Sequence, residues 1–359
     1  MMAHWTYYHT LDPFLIQITE TFGLRWYSLA YILGAVSTWV FAVWFIKKGR
    51  LFLPVEKIWD LIAYGAIGAV AGGRVGYCIF YRPELFVDFD TRIPFWGVFK
   101  IYEGGMASHG GIIGLIVALW LFSRKHKVSF FSLADLSVWG GSTGIFLGRI
   151  ANFINGELYG RVIQTKAFLG VKFPSELFLW QSDVSAWQDR LNSLHPVLPA
   201  LKKALPAKIK EIPSSSEWGE WVYRAIEEPL FQNKVSNICH LIVKFSTSPS
   251  VQTSLEPLLS LRHPSQLYQA LMGGLGTLLV VSLLWLKPRK AGLVSVAWLF
   301  SYMVFRVMSE FFRMPDEHIG YQFLSLTRGQ WLSVLGFAFV GIWAVIVYRQ
   351  PPKGFSGVK

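Results

Sequence analysis

The sequence predicts an all-α polytopic membrane protein with about seven transmembrane helices and an extramembrane domain inserted between helices 4 and 5. The 359 residues are 53% hydrophobic and only 16% charged, whereas soluble proteins usually carry about a quarter charged residues. Apolar runs alternate with short clusters of Lys and Arg, which is typical of chains that cross a membrane repeatedly. The net charge of +12 resides in those clusters and suits anionic lipid headgroups. We therefore expect a membrane, and no nucleic acid, as a partner.

Seven apolar runs follow one another along the chain. The first, residues 27–46, is long enough to span a bilayer of roughly 30 Å. It has neither a basic segment before it nor a small-residue cleavage site after it, so we do not expect a cleaved signal peptide. We predict spans at residues 25–46, 59–81, 109–123, 133–150, 264–286, 292–312 and 330–348.

The basic clusters predict the orientation of these spans. They lie in the loops at 47–58, 124–132 and 287–291 and in the tail after residue 348, which all fall on one side of the membrane if there are seven spans. Residues 1–24, on the other side, contain no Lys or Arg. The positive-inside rule therefore predicts an N-terminus outside and a C-terminus inside.

Residues 162–261 interrupt the alternation, because their basic and acidic side chains nearly cancel. We interpret this segment as an extramembrane domain of mixed, partly helical structure on the outer face. The chain then divides into helices 1–4 with the candidate motifs (1–161), the outer-face head domain (162–261), and helices 5–7 with the tail (262–359).

The two cysteines are Cys78, in an apolar run, and Cys239, in an expected loop. Two cysteines so far apart provide neither a disulfide framework nor the spacing of a metal site. We therefore expect no metal ion and no cofactor.

Charged and glycine-flanked polar residues inside the spans are the candidate site residues, because an Arg in a span costs roughly 2.5–3.5 kcal/mol on insertion scales. Arg74 follows glycines at 72–73, which permit close approach of helices. A structural pairing of Arg74 with another helix and a contact with substrate remain equal alternatives. His109 is flanked by glycines at 104–105 and 110–111. These favour a functional base or hydrogen-bond donor over a structural histidine.

A second group of polar residues lies where the fourth span ends, in residues 148–161. Arg149 and Asn152 are three residues apart and therefore share a helix face, with Glu157 just beyond. Basic, amide and acidic groups so close together suit a phosphate and hydroxyl groups better than a packing motif.

The sixth span contains a third group. Tyr302, Arg306 and Glu310 are spaced by four residues and line one face of a helix, with Arg313 one turn further. An ion pair between Arg306 and Glu310 is the structural alternative. That pair would explain Glu310, but it would not explain why either charge lies in a membrane.

Together these motifs resemble those of the prolipoprotein diacylglyceryl transferase family. The resemblance is collinear from residue 10 to about 348, and it rests on Arg25-Trp26-Tyr27, His109-Gly110-Gly111, residues 148–161, residues 262–268 (RHPSQLY), and Glu310-Phe311-Phe312-Arg313 with Pro315-Asp316. It implies a transferase that moves the diacylglyceryl group of phosphatidylglycerol to the lipobox cysteine of prolipoproteins, forming a thioether and releasing glycerol phosphate. This is the first step of bacterial lipoprotein maturation. It also implies a multi-pass protein of the bacterial inner (plasma) membrane, with a periplasmic N-terminus and a cytoplasmic C-terminus.

The resemblance implies roles for individual residues. The expected catalytic residues are His109, Arg149, Tyr302 and Arg306. The phosphatidylglycerol-binding residues expected from the resemblance are Tyr27, Arg149, Asn152, Glu157, Gly160 and Arg306. Their positions in the spans add Arg74 and Glu310 to this set. The chain departs from the family pattern at Gln269, where a Glu is expected, at Ser28, where Gly is common, and in the greater length of residues 162–261.

We expect Arg149 and Arg306 to hold the phosphate, because arginine donates two hydrogen bonds to a phosphate group. The nucleophile belongs to the partner, so neither cysteine of this chain needs to react. His109 is the expected base, and the alternative is that it donates to the phosphate while Tyr27 or Tyr302 takes the proton. A membrane lipid or solute transporter is the alternative function. It predicts broken spans in paired halves and a carboxylate near the midplane, and the sequence shows neither.

Overall fold

The computed structural model describes residues 3–18, 23–51, 53–91, 93–164, 167–206, 212–314 and 328–350. These residues are mostly helical, as predicted. The motif residues Pro315 and Asp316 lie outside the described ranges.

Seven helical stretches coincide with the seven predicted apolar runs. They are α1 (Trp26–Lys47), α2 (Lys57–Phe80), α3 (Ser108–His126), α4 (Phe130–Ile154), the stretch formed by α11 (Ser265–Gln269), a π-helical segment (Ala270–Gly276) and α12 (Thr277–Trp285), then α13 (Leu293–Glu310) and α14 (Arg328–Arg349). Within the described residues, five helices are long and apolar enough to cross a membrane: α1, α2, α4, Ser265–Trp285 and α13. These helices are consistent with the predicted polytopic membrane protein.

The described residues include two small β-sheets that were not predicted, so the expected all-α class is wrong in this detail. Strand β1 (Ala3–Tyr8) pairs in parallel with β4 (Ala167–Lys172), and β2 (Phe14–Gln17) pairs antiparallel with β3 (Gly23–Arg25). Aromatic and β-branched residues in β1 favour an extended strand. The partner of β1 lies far away in the sequence, so the local pattern did not reveal the pairing.

The chain forms two compact units. Unit 1 comprises residues 1–28, 148–270 and 307–329, and unit 2 comprises residues 29–147, 271–306 and 330–359. The long segment 162–261 lies entirely in unit 1.

The long segment is partly helical, as expected. It holds β4 and the helices α5 (Glu176–Ser182), α6 (Gln188–Asn192), α7 (Val197–Ala204), α8 (Ser215–Arg224), α9 (Pro229–Lys244) and α10 (Pro249–Leu255). Its core includes the fully buried Trp180 and Trp218, and Trp218 Nε1 donates to the Leu191 carbonyl at 2.7 Å. Cys239 is buried in α9 rather than in a loop, because this helix directs its apolar face into the core.

In unit 2, α2 and α3 pack through glycines. A Cβ at Gly114 would collide with the backbone of Gly68, and one at Gly110 would collide with the carbonyl of Gly72. Gly110 is buried in this contact. The glycine after His109 therefore allows two helix backbones to approach.

A buried carboxylate orients α13. The Asp135 side chain, on α4, accepts hydrogen bonds from the backbone N–H groups of Gly292 and Ser295, both at 2.7 Å. These groups lie at the start of α13, where helix N–H groups have no partner within the helix. Asp135 thus caps the helix that carries Tyr302 and Arg306.

We expect Gly114→Ala to lower the free energy of unfolding by about 1–3 kcal/mol, the usual cost of overpacking, because its methyl group would collide with the backbone of Gly68. Gly144→Ala is the matched control, since no atom lies within 4 Å of a Cβ placed there. Thermal unfolding of both variants in detergent measures the difference. Equal midpoints for the two variants would contradict the glycine contact.

Candidate functional site

Four predicted site residues come together in unit 1. Asn152 Nδ2 donates to Glu157 Oε1 at 2.9 Å, and Arg149 Nη1 donates to Asn152 Oδ1 at 3.5 Å. The Tyr27 hydroxyl donates to the Glu157 carboxylate and accepts from the Asn152 amide. The four side chains thus form one hydrogen-bonded chain with a cation at one end and a carboxylate and a phenol at the other.

The local backbone explains how Glu157 reaches Asn152. The chain leaves α4 at Ile154, and Gly156 adopts a left-handed φ of 64°, which glycine accommodates without strain. The Glu157 N–H donates to the Asn152 carbonyl at 3.1 Å, so the loop folds back on the helix. Leu158 also has a positive φ, of 56°. This conformation is unusual for a residue with a side chain and indicates a loop held by its surroundings.

Residues 262–266 hold this loop. The Ser265 hydroxyl donates to the Leu158 carbonyl at 2.9 Å, and Gln266 Nε2 donates to the Glu157 carbonyl at 2.6 Å. The sequence singled out this motif but assigned it no role. In the structure it binds the backbone on which the Glu157 carboxylate is carried.

Gly160 lies where the backbone is most crowded. Its N–H donates to the His263 carbonyl at 2.9 Å, and a Cβ would lie 2.5 Å from the carbonyl oxygens of both His263 and Phe312. Real Cβ contacts are essentially never so short. Gly160 was expected to bind phosphatidylglycerol, but its surroundings favour a role in close backbone packing.

The end of α13 joins the same network. The Arg161 N–H donates to the Phe312 carbonyl at 3.0 Å, and Arg161 Nε donates to the Arg313 carbonyl at 2.9 Å. Glu310 is buried, with its carboxylate 4.0 Å from the Arg313 guanidinium. Three motifs that are distant in the sequence therefore meet through backbone hydrogen bonds in unit 1.

A buried ion pair links the long segment to this network. Arg262 Nη2 lies 2.8 Å from Glu176 Oε1, and the two side chains are 3% and 0% exposed. Glu176 Oε2 also accepts from the Ser260 N–H at 3.0 Å. Sequence reasoning missed Glu176, because nothing near it in the chain marks it as a partner of Arg262.

His9 supports the last turn of α4. Its Nε2 lies 2.7 Å from the Phe153 carbonyl, and since a carbonyl only accepts, Nε2 carries the hydrogen. Burial lowers the pKa of His9, partly offset by this hydrogen bond. A neutral imidazole therefore lies next to the loop that carries Glu157, and no motif in the sequence indicated it.

Arg74, in unit 2, has its guanidinium surrounded by carbonyl groups. Nε donates to Val98 at 2.8 Å and Nη2 to Gly97 at 2.9 Å, while Nη1 donates to Gly104 at 2.6 Å and to Gly105 at 3.2 Å. Arg74 is buried. Of the two alternatives, these contacts favour the structural one, although the partner is the loop before α3 rather than another helix.

The other predicted site residues also lie in unit 2. His109 is an exposed residue in the first turn of α3. Tyr302 stacks on Trp298 with ring centroids 5.3 Å apart, and Arg306 lies one turn further along α13. The structure thus groups Tyr27, Arg149, Asn152 and Glu157 directly, and it assigns His109, Tyr302 and Arg306 to the second unit.

Comparison with known proteins covers nearly the whole chain. The family model described as prolipoprotein diacylglyceryl transferase matches residues 13–347. A protein of Bdellovibrio bacteriovorus named phosphatidylglycerol–prolipoprotein diacylglyceryl transferase is 41% identical over 347 residues, covering 95% of this chain and 94% of that protein. Proteins with the same name are 34% identical in Neisseria gonorrhoeae (91% and 92% covered) and 31% identical in Rickettsia bellii (94% and 95% covered).

We expect Glu176→Ala to lower the free energy of unfolding by about 3–5 kcal/mol, because it leaves the Arg262 charge buried without its partner. Glu220→Ala is the control, since Glu220 is exposed and paired on the surface with Arg224; it should cost less than about 1 kcal/mol. Chemical unfolding in detergent measures both. The ion pair would have no structural role if the two variants unfolded alike.

Proposed function

Because the chain belongs to the prolipoprotein diacylglyceryl transferase family, we propose that it transfers the diacylglyceryl group of phosphatidylglycerol to the lipobox cysteine of prolipoproteins. The thiol sulfur bonds to the glyceryl carbon, the bond from that carbon to the phosphate oxygen breaks, and glycerol phosphate leaves. The observation that carries the proposal is the hydrogen-bonded chain of Arg149, Asn152, Glu157 and Tyr27, in which two further motifs hold the loop that carries Glu157.

We propose that all seven helical stretches cross the bacterial inner membrane, with the N-terminus periplasmic and the C-terminus cytoplasmic. The clusters of Lys and Arg support this orientation, since they fall in alternate loops and in the C-terminal tail. Residues 162–261 would then form a periplasmic head domain between the fourth and fifth spans. Phosphatidylglycerol and a secreted cysteine are both accessible on that side.

The phosphatidylglycerol headgroup carries one phosphodiester and two hydroxyl groups. Arg149 and Arg306 supply guanidinium groups for the phosphate, and they stabilise the charge that develops on the leaving glycerol phosphate. Asn152 and Glu157 supply an amide and a carboxylate for the hydroxyl groups. Since Asn152 and Glu157 already bond one another, their polar atoms are oriented before the lipid arrives.

The acceptor thiol has a reference pKa of about 8.5 and must lose its proton to attack. His109 is our proposed base, because its exposed side chain at the start of α3 is open to a substrate. The alternatives are Tyr302 and Tyr27, and the Tyr27 hydroxyl already donates to the Glu157 carboxylate. In that contact, the Glu157 carboxylate would accept the proton that Tyr27 releases.

Arg74, Gly160 and Glu310 were expected to bind the lipid, and we now propose a positioning role for each. Arg74 holds the loop that leads to His109, and Gly160 permits the backbone contacts of the Glu157 loop. Glu310 pairs with Arg313 beside the same contacts. The transporter alternative has no observation of its own in its favour, since the matched relatives carry transferase names.

A direct assay tests the function. The purified protein is incubated with phosphatidylglycerol vesicles and a peptide that contains a lipobox cysteine. We expect the peptide mass to increase by one diacylglyceryl group and glycerol phosphate to appear in equal amount. The same peptide with Ser in place of Cys is the control. Transfer of phosphatidylglycerol between vesicles without any thioether product would favour transport.

We expect Arg149→Ala and Arg306→Ala each to lower the transfer rate by roughly 10²–10³-fold, the usual effect of losing a charge-stabilising donor. Arg124→Ala is the control, because this arginine is exposed at the end of α3. Rates are compared at equal amounts of folded protein in vesicles. Full activity in either site variant would show that its guanidinium does not hold the phosphate.

We expect His109→Gln to lower the rate by roughly 10²–10⁴-fold, as for other lost general bases. The wild-type rate should also fall at acidic pH, where a histidine base is protonated, and the variant should lack that acidic limb. A pH–rate profile of both proteins measures this. If the two share one rate and one acidic limb, the proton passes to another residue.

A further inference from the structure

The loop between α2 and α3, residues 81–107, exposes an unusual amount of apolar surface. Ile93 is 84% exposed and Phe89 is 72% exposed. Single exposed apolar residues are common on proteins, but a contiguous set marks a surface that something covers. The most exposed apolar side chains of the loop are Val87, Phe89, Ile93, Phe95, Phe99 and Tyr102.

Five charged side chains of the loop, by contrast, are paired with one another. Lys100 Nζ lies 3.0 Å from Asp88 and 3.9 Å from Asp90, and Arg82 pairs with Glu84. The loop carries three basic and four acidic residues, so it has no excess of positive charge to attract anionic headgroups. Any affinity for a membrane must therefore come from its apolar side chains.

The loop also satisfies much of its own backbone. The Gly97 N–H donates to the Asp88 carbonyl at 2.7 Å, and Trp96 Nε1 donates to the Phe86 carbonyl at 2.9 Å. Next to hydrocarbon, polar groups without a partner are costly because no water is present to satisfy them. A loop that is bonded internally can approach lipid without that cost.

The loop is anchored to the end of α2, a helix of membrane-spanning type. The Arg74 guanidinium of α2 holds carbonyl groups near both ends of the segment 97–105, and the Ala107 N–H donates to the Gly73 carbonyl at 2.9 Å. The loop therefore cannot move away from the end of α2 without breaking buried hydrogen bonds.

An apolar cavity of about 400 Å³ lies between α2 and the loop. Ile67, Val70 and Val75 of α2 form one wall, and Phe99 and Ile101 of the loop form the other. Ile67 and Val70 belong to the exposed side of the helix. An apolar cavity that opens on the exposed side of a membrane helix suits an acyl chain better than a polar peptide backbone.

We propose that the α2–α3 loop is a membrane-interfacial element, which inserts its exposed apolar side chains into the lipid leaflet at the end of α2. Aromatic residues are favoured at this depth, where an apolar ring meets the headgroup region. A consequence, which rests on the proposed function, is that the loop holds residues 104–107, and with them the start of α3 and His109, at the depth of the lipid headgroups.

The depth of the loop is measured with a fluorescent label. Phe95→Cys is labelled with an environment-sensitive dye and reconstituted into vesicles of phosphatidylethanolamine and phosphatidylglycerol. Ser216→Cys, on the exposed side of α8, is the control. Both native cysteines are buried, and burial raises the pKa of the Cys239 thiol to about 12, so the introduced cysteine reacts selectively.

We expect lipids with a quencher near the headgroup to quench the label at residue 95, and aqueous iodide to have little effect on it. The label at residue 216 should respond in the opposite way. Quenching of the residue-95 label by iodide alone would overturn the proposal. Protection from both quenchers would also overturn it, because the surface would then be covered by protein. Neither measurement depends on catalysis, so the result is independent of the proposed function.

An activity assay tests the consequence for His109. The double variant Phe89→Ser, Phe95→Ser should transfer lipid in vesicles roughly tenfold more slowly than wild type, whereas Phe89→Leu, Phe95→Leu, which keeps the apolar surface, should stay near the wild-type rate. High salt should not change the ratio, since the loop has no excess positive charge. Equal rates for the two double variants would show that membrane insertion of the loop does not support transfer.

Discussion

At Gly160 three segments of the chain come within backbone hydrogen-bonding distance, and a side chain there would displace two of them. The carbonyls of His263 and Phe312 occupy the space that a Cβ would need. The same contacts bring residues 262–266 against the Glu157 loop, where Gln266 and Ser265 bind its carbonyls. The geometry of the candidate site therefore depends on the close backbone packing that this glycine permits. A reacting group can be held accurately only when the backbone that carries it is held first.

Charges inside this protein follow one rule in both units. Arg262 is paired with Glu176, Asp135 accepts two helix N–H groups, and Arg74 donates to loop carbonyls. Each contact offsets part of the free energy lost when a charge is removed from water. Each also joins segments that are distant in the sequence. The exposed His109 lies outside this rule. His109 lies in the first turn of α3, directly after the loop that Arg74 anchors. The glycine that follows His109 is buried against α2.

Much of the architecture could be predicted because apolar runs and basic clusters are local signals. The helices α1, α2 and α4 begin and end within a few residues of the predicted spans. The pairing of Arg149 with Asn152 could also be predicted, since three-residue spacing places the two side chains on one helix face. Glu157 lies just beyond the helix in the sequence, and the turn at Gly156 brings it back to Asn152. The addition of Tyr27 to that group followed from the family resemblance alone. It comes from the start of α1, and no periodicity relates it to α4.

The sequence by itself determined the class of the protein, the positions of its apolar helices, its family and the residues of its motifs. Hydropathy, charge clusters and short motifs are read along the chain, and they need no knowledge of what lies nearby in space. Only the tertiary structure decided which contacts those residues make. It paired β1 with β4, placed Glu176 beside Arg262, and turned the Arg74 guanidinium towards loop carbonyls. Such contacts join residues that are distant in the chain, and they form only when the packing of helices and loops brings them together.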